Sequence, residues 1–317
     1  MKKILAIVLA AAMLLSMTAC GAAAKKDTYV VGICQLVQHD ALDAATKGFQ
    51  DALTEALGDK VSFEVQNASG ESVNCTTIIN GFVSSKVDLI MANATPALQA
   101  ATSATSDIPI LGTSVTDYAS ALEIEDWTGT VGGNISGTSD LAPLDQQAAM
   151  IQELFPDAKN IGLLYCSAEA NSQYQVDEMT KYLTELGLTA TAFAFTDTND
   201  VASVAQAACD ASDVLYIPTD NTAASNTEAI ANVVLPAKVP VIAGEAGICE
   251  GCGIATLSIS YYDLGMTTGK MAAKILKGEA DISTMPVEYT DATPKYNASV
   301  CEQLGITPLD GYEAIDG

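Results

Sequence analysis

Six short polar segments hold the residue types that could grip a small solute. Residues 35–40 carry Gln35 and His39, residues 93–96 carry Thr95, and residues 113–117 carry Thr116. Further along, Glu169, Asn171 and Ser172 stand in residues 167–172, Asp220 and Asn221 follow Thr219, and Glu245 follows Gly244. Ser139-Asp140 lies between the two groups. None of these segments contains a lysine, and the chain has no arginine at all: its 14 basic residues are lysines, set against 39 acids and one histidine. A ligand anion would therefore have to be held by hydroxyls, amides and the free N–H groups of helix starts. A ligand amine could be met by Glu169, Asp220 or Glu245 through charge-assisted hydrogen bonds. A zwitterion suits this inventory better than phosphate, sulfate or a dicarboxylate; a sugar stays open, although no arginine fork is present to bind one. On this reading Asp220→Ala and Glu245→Ala should weaken binding of an amine-bearing ligand. The same residue types also cap helices and shape turns, so each carries a structural reading beside the functional one.

Catalytic readings fare poorly. With His39 as the only histidine and no nucleophile elbow, no triad can be assembled, and Cys34 with His39 lacks a third, orienting group. Gly265-Met266-Thr267-Thr268-Gly269-Lys270 looks like a phosphate loop, but its glycines are one residue too close, no Ser or Thr follows Lys270, and it falls inside a helical pattern. Cys249-Glu250-Gly251-Cys252 could close a disulfide or supply half a metal site, but no second such pair accompanies it, so no metal or cofactor is expected. Cys34, Cys75, Cys166, Cys209 and Cys301 read as structural. A formal charge of −25 excludes a nucleic-acid partner.

The elements that must position these loops alternate in type. Apolar strand-like runs open at Tyr29, Val61, Leu89 and Ile108, separated by stretches with helical spacing such as Leu42, Ala45, Phe49, Leu53 and Ala56. The pattern then repeats: Gly32 and Gly162 stand inside the first strands, Asp88 and Asp213 precede buried strands, and Ile108-Pro109-Ile110 is matched by Val239-Pro240-Val241. The glycine-to-aspartate intervals are 56 and 51 residues. These features predict an α/β protein of two Rossmann-like lobes with parallel sheets joined by a multi-strand hinge. Crossings are expected near residues 136–140, 258–262 and 286–290. That places lobe one in residues 28–138 plus 262–287, and lobe two in residues 139–261 plus 288–317. In open parallel sheets, ligands bind beyond the carboxyl ends of the strands, where all six polar segments fall, and a hinged cleft closes around its ligand. Trp127 is expected in surface packing, and Tyr261-Tyr262 in packing of the hinge.

At the N-terminus, Lys2 and Lys3 precede an apolar run over residues 4–17 that ends in Met17-Thr18-Ala19-Cys20-Gly21. The run is too short to span a bilayer and has the form of a secretory signal. Residues 1–19 are read as a lipoprotein signal peptide, Cys20 as the lipidation site, and residues 20–27 as a solvated tether, which puts the protein outside the cytoplasmic membrane and lipid-anchored to it.

Several of the loops resemble a known family. Gln35-Leu36-Val37-Gln38-His39-Asp40-Ala41-Leu42-Asp43, Ala94-Thr95-Pro96-Ala97, Val115-Thr116-Asp117, Glu169-Ala170-Asn171-Ser172, Pro218-Thr219-Asp220-Asn221-Thr222, Ala243-Gly244-Glu245 and Tyr261-Tyr262-Asp263-Leu264-Gly265 are similar to segments of the tryptophan/tyrosine-type substrate-binding lipoproteins of ABC importers. The resemblance implies a type I periplasmic-binding fold, delivery of ligand to a membrane permease with its ATPase, and an aromatic amino acid as ligand; the protein is expected to be a monomer. The residues expected to bind it are Gln35, His39, Thr95, Thr116, Ser139, Asp140, Glu169, Asn171, Ser172, Asp220, Asn221 and Glu245. A lipid-anchored sensor read by a membrane receptor remains the alternative, as does another polar solute such as a sugar or nucleoside. An extracytoplasmic hydrolase would need a carboxylate base in the cleft.

Overall fold

The computed structural model of the protein describes residues 28–315. The expected signal peptide, Cys20 and the tether through residue 27 lie outside the described residues.

The chain opens with β1 (Tyr29–Gln35), α1 (Asp40–Leu57), β2 (Val61–Asn67), α2 (Ser72–Ser85), β3 (Leu89–Asn93), α3 (Thr95–Ala104), β4 (Ile110–Val115), the short α4 (Tyr118–Ala121) and β5 (Ile135–Ser139). It then builds α5 (Leu144–Leu154), β6 (Asn160–Cys166), α6 (Ala170–Glu185), β7 (Thr189–Phe195), α7 (Val201–Ala211), β8 (Val214–Ile217), α8 (Asn221–Ala224), α9 (Thr227–Ala237), β9 (Val241–Ala243), α10 (Ala246–Cys252) and β10 (Ala255–Ile259). It returns through α11 (Tyr261–Leu276) and β11 (Glu288–Tyr289), and ends with β12 (Ala292–Tyr296), α12 (Ala298–Leu304) and β13 (Glu313–Ala314).

Two sheets result, ordered β2-β1-β3-β4-β5-β11 and β7-β6-β8-β9-β10-β12-β13. Among the described residues, every pairing between these strands is parallel except β10 with β12. Three connections join the sheets: after β5, between β10 and α11, and between β11 and β12. Glu288 and Tyr289 pair with Thr138 and Ser139, so they stand in the first sheet, two residues beyond the limit expected from the sequence. Both sheets are covered on two faces, which is why their central strands are continuous apolar runs. In the first lobe, Phe82, Ile90 and Leu98 pack on one side and Phe49, Met91 and Met271 on the other. In the second, Leu163, Met179 and Tyr216 face one side and Leu164, Phe195 and Ile217 the other.

The repeat legible in the sequence has a physical cause. Asp88 accepts the backbone N–H of Val30 at 2.8 Å, and Asp213 accepts that of Asn160 at 2.8 Å, so each aspartate secures the start of its lobe's first strand. Gly32 and Gly162 lie where a neighbour crosses the strand closely. An added Cβ would sit 2.7 Å from the Phe82 ring in one lobe and 2.5 Å from Ser212 Oγ in the other.

The glycines of the phosphate-loop lookalike serve helix packing instead. They fall within α11, which lies against α1: a Cβ on Gly265 would run into the Ala45 carbonyl, and one on Gly48 into the Tyr262 carbonyl. The seven cysteines among the described residues are all free and buried, Cys249 and Cys252 included. Trp127 stacks on Tyr118 with ring centroids 6.5 Å apart and packs against the first core, so it is part of the lobe's interior edge.

Candidate functional site

The carboxyl ends of both sheets face each other across a slot. From the first lobe it is lined by His39 and Leu42 of the β1–α1 region, Ser114 of β4 and Asp140 just after β5. From the second come Asn171 of α6, Thr219-Asp220-Asn221 after β8, Ala224 and Glu245, while Tyr261 closes the slot at the second crossing. Among the described residues, no lysine lines it.

The slot is shut. His39 Nε2 lies 3.2 Å from Asn221 Oδ1, and the Thr116 and Thr219 hydroxyls approach to 3.5 Å, both pairs reaching from lobe to lobe. The space enclosed comes to about 10 Å³, room for the centre of a single water. Outside it, towards the end of the cleft remote from the hinge, a larger opening of about 400 Å³ is bordered by Leu36, Val37 and Pro96 on one side and Ala168, Glu169 and Thr222 on the other.

Two of the slot's acids cap helices and the third does not. Asp220 caps α8: its carboxylate accepts the N–H of Ala223 at 2.8 Å and that of Cys166 at 2.6 Å, one on each oxygen. Burial, reinforced by the nearby Glu169 charge, pushes its pKa up to about 7, against the pull of those two N–H donors. Glu245 caps α10 in the same way, accepting the N–H of Gly247 at 2.7 Å and that of Ile248 at 2.6 Å. Burial raises its pKa as well, and His39 pulls it back. The Asp140 side chain accepts from the Tyr261 hydroxyl, at Oδ2, over 2.9 Å. Burial raises its pKa too, opposed by Tyr261, Thr116 and His39.

Glu169 does not line the slot. One of its oxygens accepts the N–H and side-chain amide of Asn221 (3.1 and 2.6 Å), and the other accepts the N–H and hydroxyl of Thr222 (2.8 and 2.7 Å). It locks the β8–α8 turn in place, so Asn221 reaches the slot with its orientation set. Gln35 is likewise engaged, donating to Val37 O and Asp43 while accepting from Thr46, and it stands outside the lining. Ser139 donates to Thr116 O at 2.8 Å and braces the first crossing. Ser172 Oγ accepts from Asn171 Nδ2 at 3.3 Å, and its hydroxyl helps hold the Asp220 pKa down against burial. Thr95 is buried beside Ala94, whose φ of 94° is rare for a residue with a side chain. Thr116 reaches the slot's edge through its contact with Thr219.

The slot thus draws together His39, Asp140, Asn171, Asp220, Asn221 and Glu245 from the expected residues. It also contains Ser114, Thr219 and Tyr261, which were not among the residues expected to bind the ligand. Ser114 sits at φ 53°, left-handed backbone at the point where β4 shifts register against β5. Thr219 adjoins Asp220, and its N–H and carbonyl are both held by Gln175, which fixes the loop. Tyr261 was expected in hinge packing; its ring is buried there, but its hydroxyl turns to Asp140. The adjacent loop needs Gly244, since a Cβ there would lie 2.6 Å from the Thr219 N–H nitrogen.

Unpaired polar atoms gather at this place. Buried side-chain atoms without a hydrogen-bonding partner include Ser114 Oγ, Asp140 Oδ1 and Asn171 Oδ1, all in the slot, with Thr95 Oγ1 and Asn93 Oδ1 at the carboxyl end of β3. Such atoms cost stability in a folded chain and are tolerated where a ligand satisfies them.

Two α/β lobes joined by three strands of chain, with a polar slot between the facing sheet ends, define a solute-binding protein of the type I periplasmic-binding fold. The chain belongs to the ABC transporter substrate binding protein family, whose profile matches residues 30–311. It is 36% identical over 266 residues to a tyrosine-binding protein of Clostridioides difficile, an alignment covering 83% of this chain and 76% of the relative. It superposes with a TM-score of 0.86 on an ABC domain from Streptococcus pneumoniae in complex with L-Trp, at 34% identity, covering 91% of this chain and 100% of that one. Against the ligand-free, open structure of a substrate binding protein with adhesive properties from Clostridium difficile the TM-score is 0.70, at 36% identity and covering 91% of this chain and 99% of that one. The lower score with the structure described as open, at slightly higher identity, agrees with the contacts across the slot: the lobes here stand closed.

Proposed function

We propose that this ABC transporter substrate-binding protein captures an aromatic L-amino acid between its lobes and delivers it to a membrane permease driven by a cytoplasmic ATPase. In this reading it works as a monomer outside the cytoplasmic membrane, tethered through lipid on Cys20, and it performs no catalysis. The observation that carries the choice of ligand is the slot's lining: buried carboxylates, amides and hydroxyls from both lobes and no lysine. A zwitterion supplies the cation that such a lining lacks, and its carboxylate can be met by neutral donors. The relatives named for tyrosine and bound to L-Trp support an aromatic side chain.

Closure follows from differential contact. Ligand bound to one lobe alone meets half of the lining, while the closed form adds the other half, so binding shifts the population towards the closed state. The test is a thermal shift panel of the twenty amino acids, with a sugar and a nucleoside beside them. A ligand that binds only the folded state raises the melting temperature. L-tyrosine or L-tryptophan is expected to give the largest rise. A rise with the sugar or nucleoside alone would overturn the proposal.

A further inference from the structure

The three unpaired atoms in the slot differ in hydrogen-bonding sense. Asp140 is 4% exposed, Ser114 and Asn171 6% each, so none has solvent to satisfy it. Asn171 Oδ1 can only accept, and the sense of its amide is fixed, because Nδ2 donates to Thr219 O at 3.0 Å and lies 3.4 Å from Glu169 Oε2. Asp140 Oδ1 is an acceptor when ionised, while its sister oxygen is occupied by Tyr261. Ser114 Oγ carries a proton to donate. The acceptors come from opposite lobes: the Asp140 backbone N–H is bonded to Val115 O in the first sheet, and Asn171 lies in the first turn of α6 in the second lobe. The other acids of the site have both oxygens engaged by backbone or side-chain donors, as set out above for Asp220, Glu245 and Glu169.

We propose that Asp140 Oδ1 and Asn171 Oδ1 form an ammonium clamp, one jaw on each lobe, and that the Ser114 hydroxyl donates to the carboxylate of the same ligand. This rests on the amino-acid reading given above and deepens it. The clamp moves the amine's charge partner from Asp220 and Glu245, which the sequence suggested, to the acid at the first crossing. It also couples recognition to closure, because the ammonium gains its second acceptor only when the lobes meet. An α-amino acid is thereby distinguished from a carboxylic acid of the same shape, since the buried acceptors would be left unpaired by a ligand without the amine.

The test is calorimetric titration of the full chain with L-tyrosine, tyramine and 3-(4-hydroxyphenyl)propionate, using the wild type, Asp140→Asn and Ser114→Ala. The wild type should bind L-tyrosine at least about tenfold more tightly than either truncated compound, roughly the worth of one charge-assisted hydrogen bond. Asp140→Asn should lose that advantage over the propionate, and Ser114→Ala the advantage over tyramine. An Asp140→Asn protein that melts like the wild type yet still prefers L-tyrosine to the propionate by the wild-type factor overturns the clamp. Should the variants fail to fold, the wild type alone decides: equal affinity for L-tyrosine and the propionate refutes the clamp while leaving aromatic binding intact. A wild type that binds no aromatic amino acid overturns the functional reading and the clamp with it.

Discussion

The Tyr261 hydroxyl donates to Asp140 Oδ2 at 2.9 Å, joining the first residue of α11 to the acid that follows β5. The bond spans two of the three inter-lobe crossings and holds one carboxylate oxygen, which leaves the other turned to the slot. Tyr261→Phe should strand a second buried carboxylate oxygen. We expect a loss of about 1–3 kcal/mol in urea unfolding and weaker ligand binding in the same variant.

Asp220 gives stability a definite pH dependence. Its pKa rises from an ordinary 3.8 to about 7 in the folded protein, so the folded state holds a proton that the unfolded chain has released between those values. The contribution to stability is full below pH 3.8 and disappears as pH rises through about 7. Asp140 and Glu245, raised in the same direction, act with the same sign. Ligand-free protein should therefore melt at a higher temperature at pH 5.5 than at pH 8, and Asp220→Asn should reduce the difference. A melting temperature that climbs steadily from pH 5.5 to pH 8 would contradict this.

Glu169 positions rather than binds. Its four close hydrogen bonds to Asn221 and Thr222 fix a slot residue from outside the slot. Glu169→Gln exchanges an acceptor oxygen for a donor amide facing N–H groups, a cost of about 1–3 kcal/mol. Affinity should fall with the loosened turn, and hydrogen exchange should quicken at the N–H groups of Asn221 and Thr222.

The contact between α1 and α11 depends on Gly265. An added methyl there meets the Ala45 carbonyl, which is main chain and has no rotamer to yield. Gly265→Ala should destabilise by about 1–3 kcal/mol or more by forcing the helices apart, measurable as a lower melting temperature. Gly278→Ala has open space around it, but its φ of 70° favours glycine, so a smaller loss is expected from backbone strain alone.

Much of the architecture was legible because it is written in local periodicity. The strand runs, the helix stripe from Leu42 to Ala56, and the paired Gly32/Asp88 and Gly162/Asp213 all report contacts that recur within each half. The positions of the polar loops followed from the parallel sheets. The allocation of hydrogen bonds did not, because it depends on partners far apart in the chain. Glu169 is spent on Asn221 and Thr222, 52 and 53 residues away, and Tyr261 reaches Asp140 over a separation of 121. Asp220 and Glu245 show the converse. Their capping role is local, three residues from acceptor to donor, and it stood beside the ligand reading in the sequence. What the sequence could not decide was which role the carboxylate oxygens serve. Ser114 left no trace, since nothing in Gly112-Thr113-Ser114-Val115 marks a left-handed residue at φ 53°.

The most direct test of the proposed closure on an aromatic amino acid is a calorimetric titration of the purified protein with L-tyrosine and with L-tryptophan at pH 7. One of the two should give a saturable isotherm with one ligand per chain. Flat isotherms for both, from protein that melts cooperatively, would contradict the account.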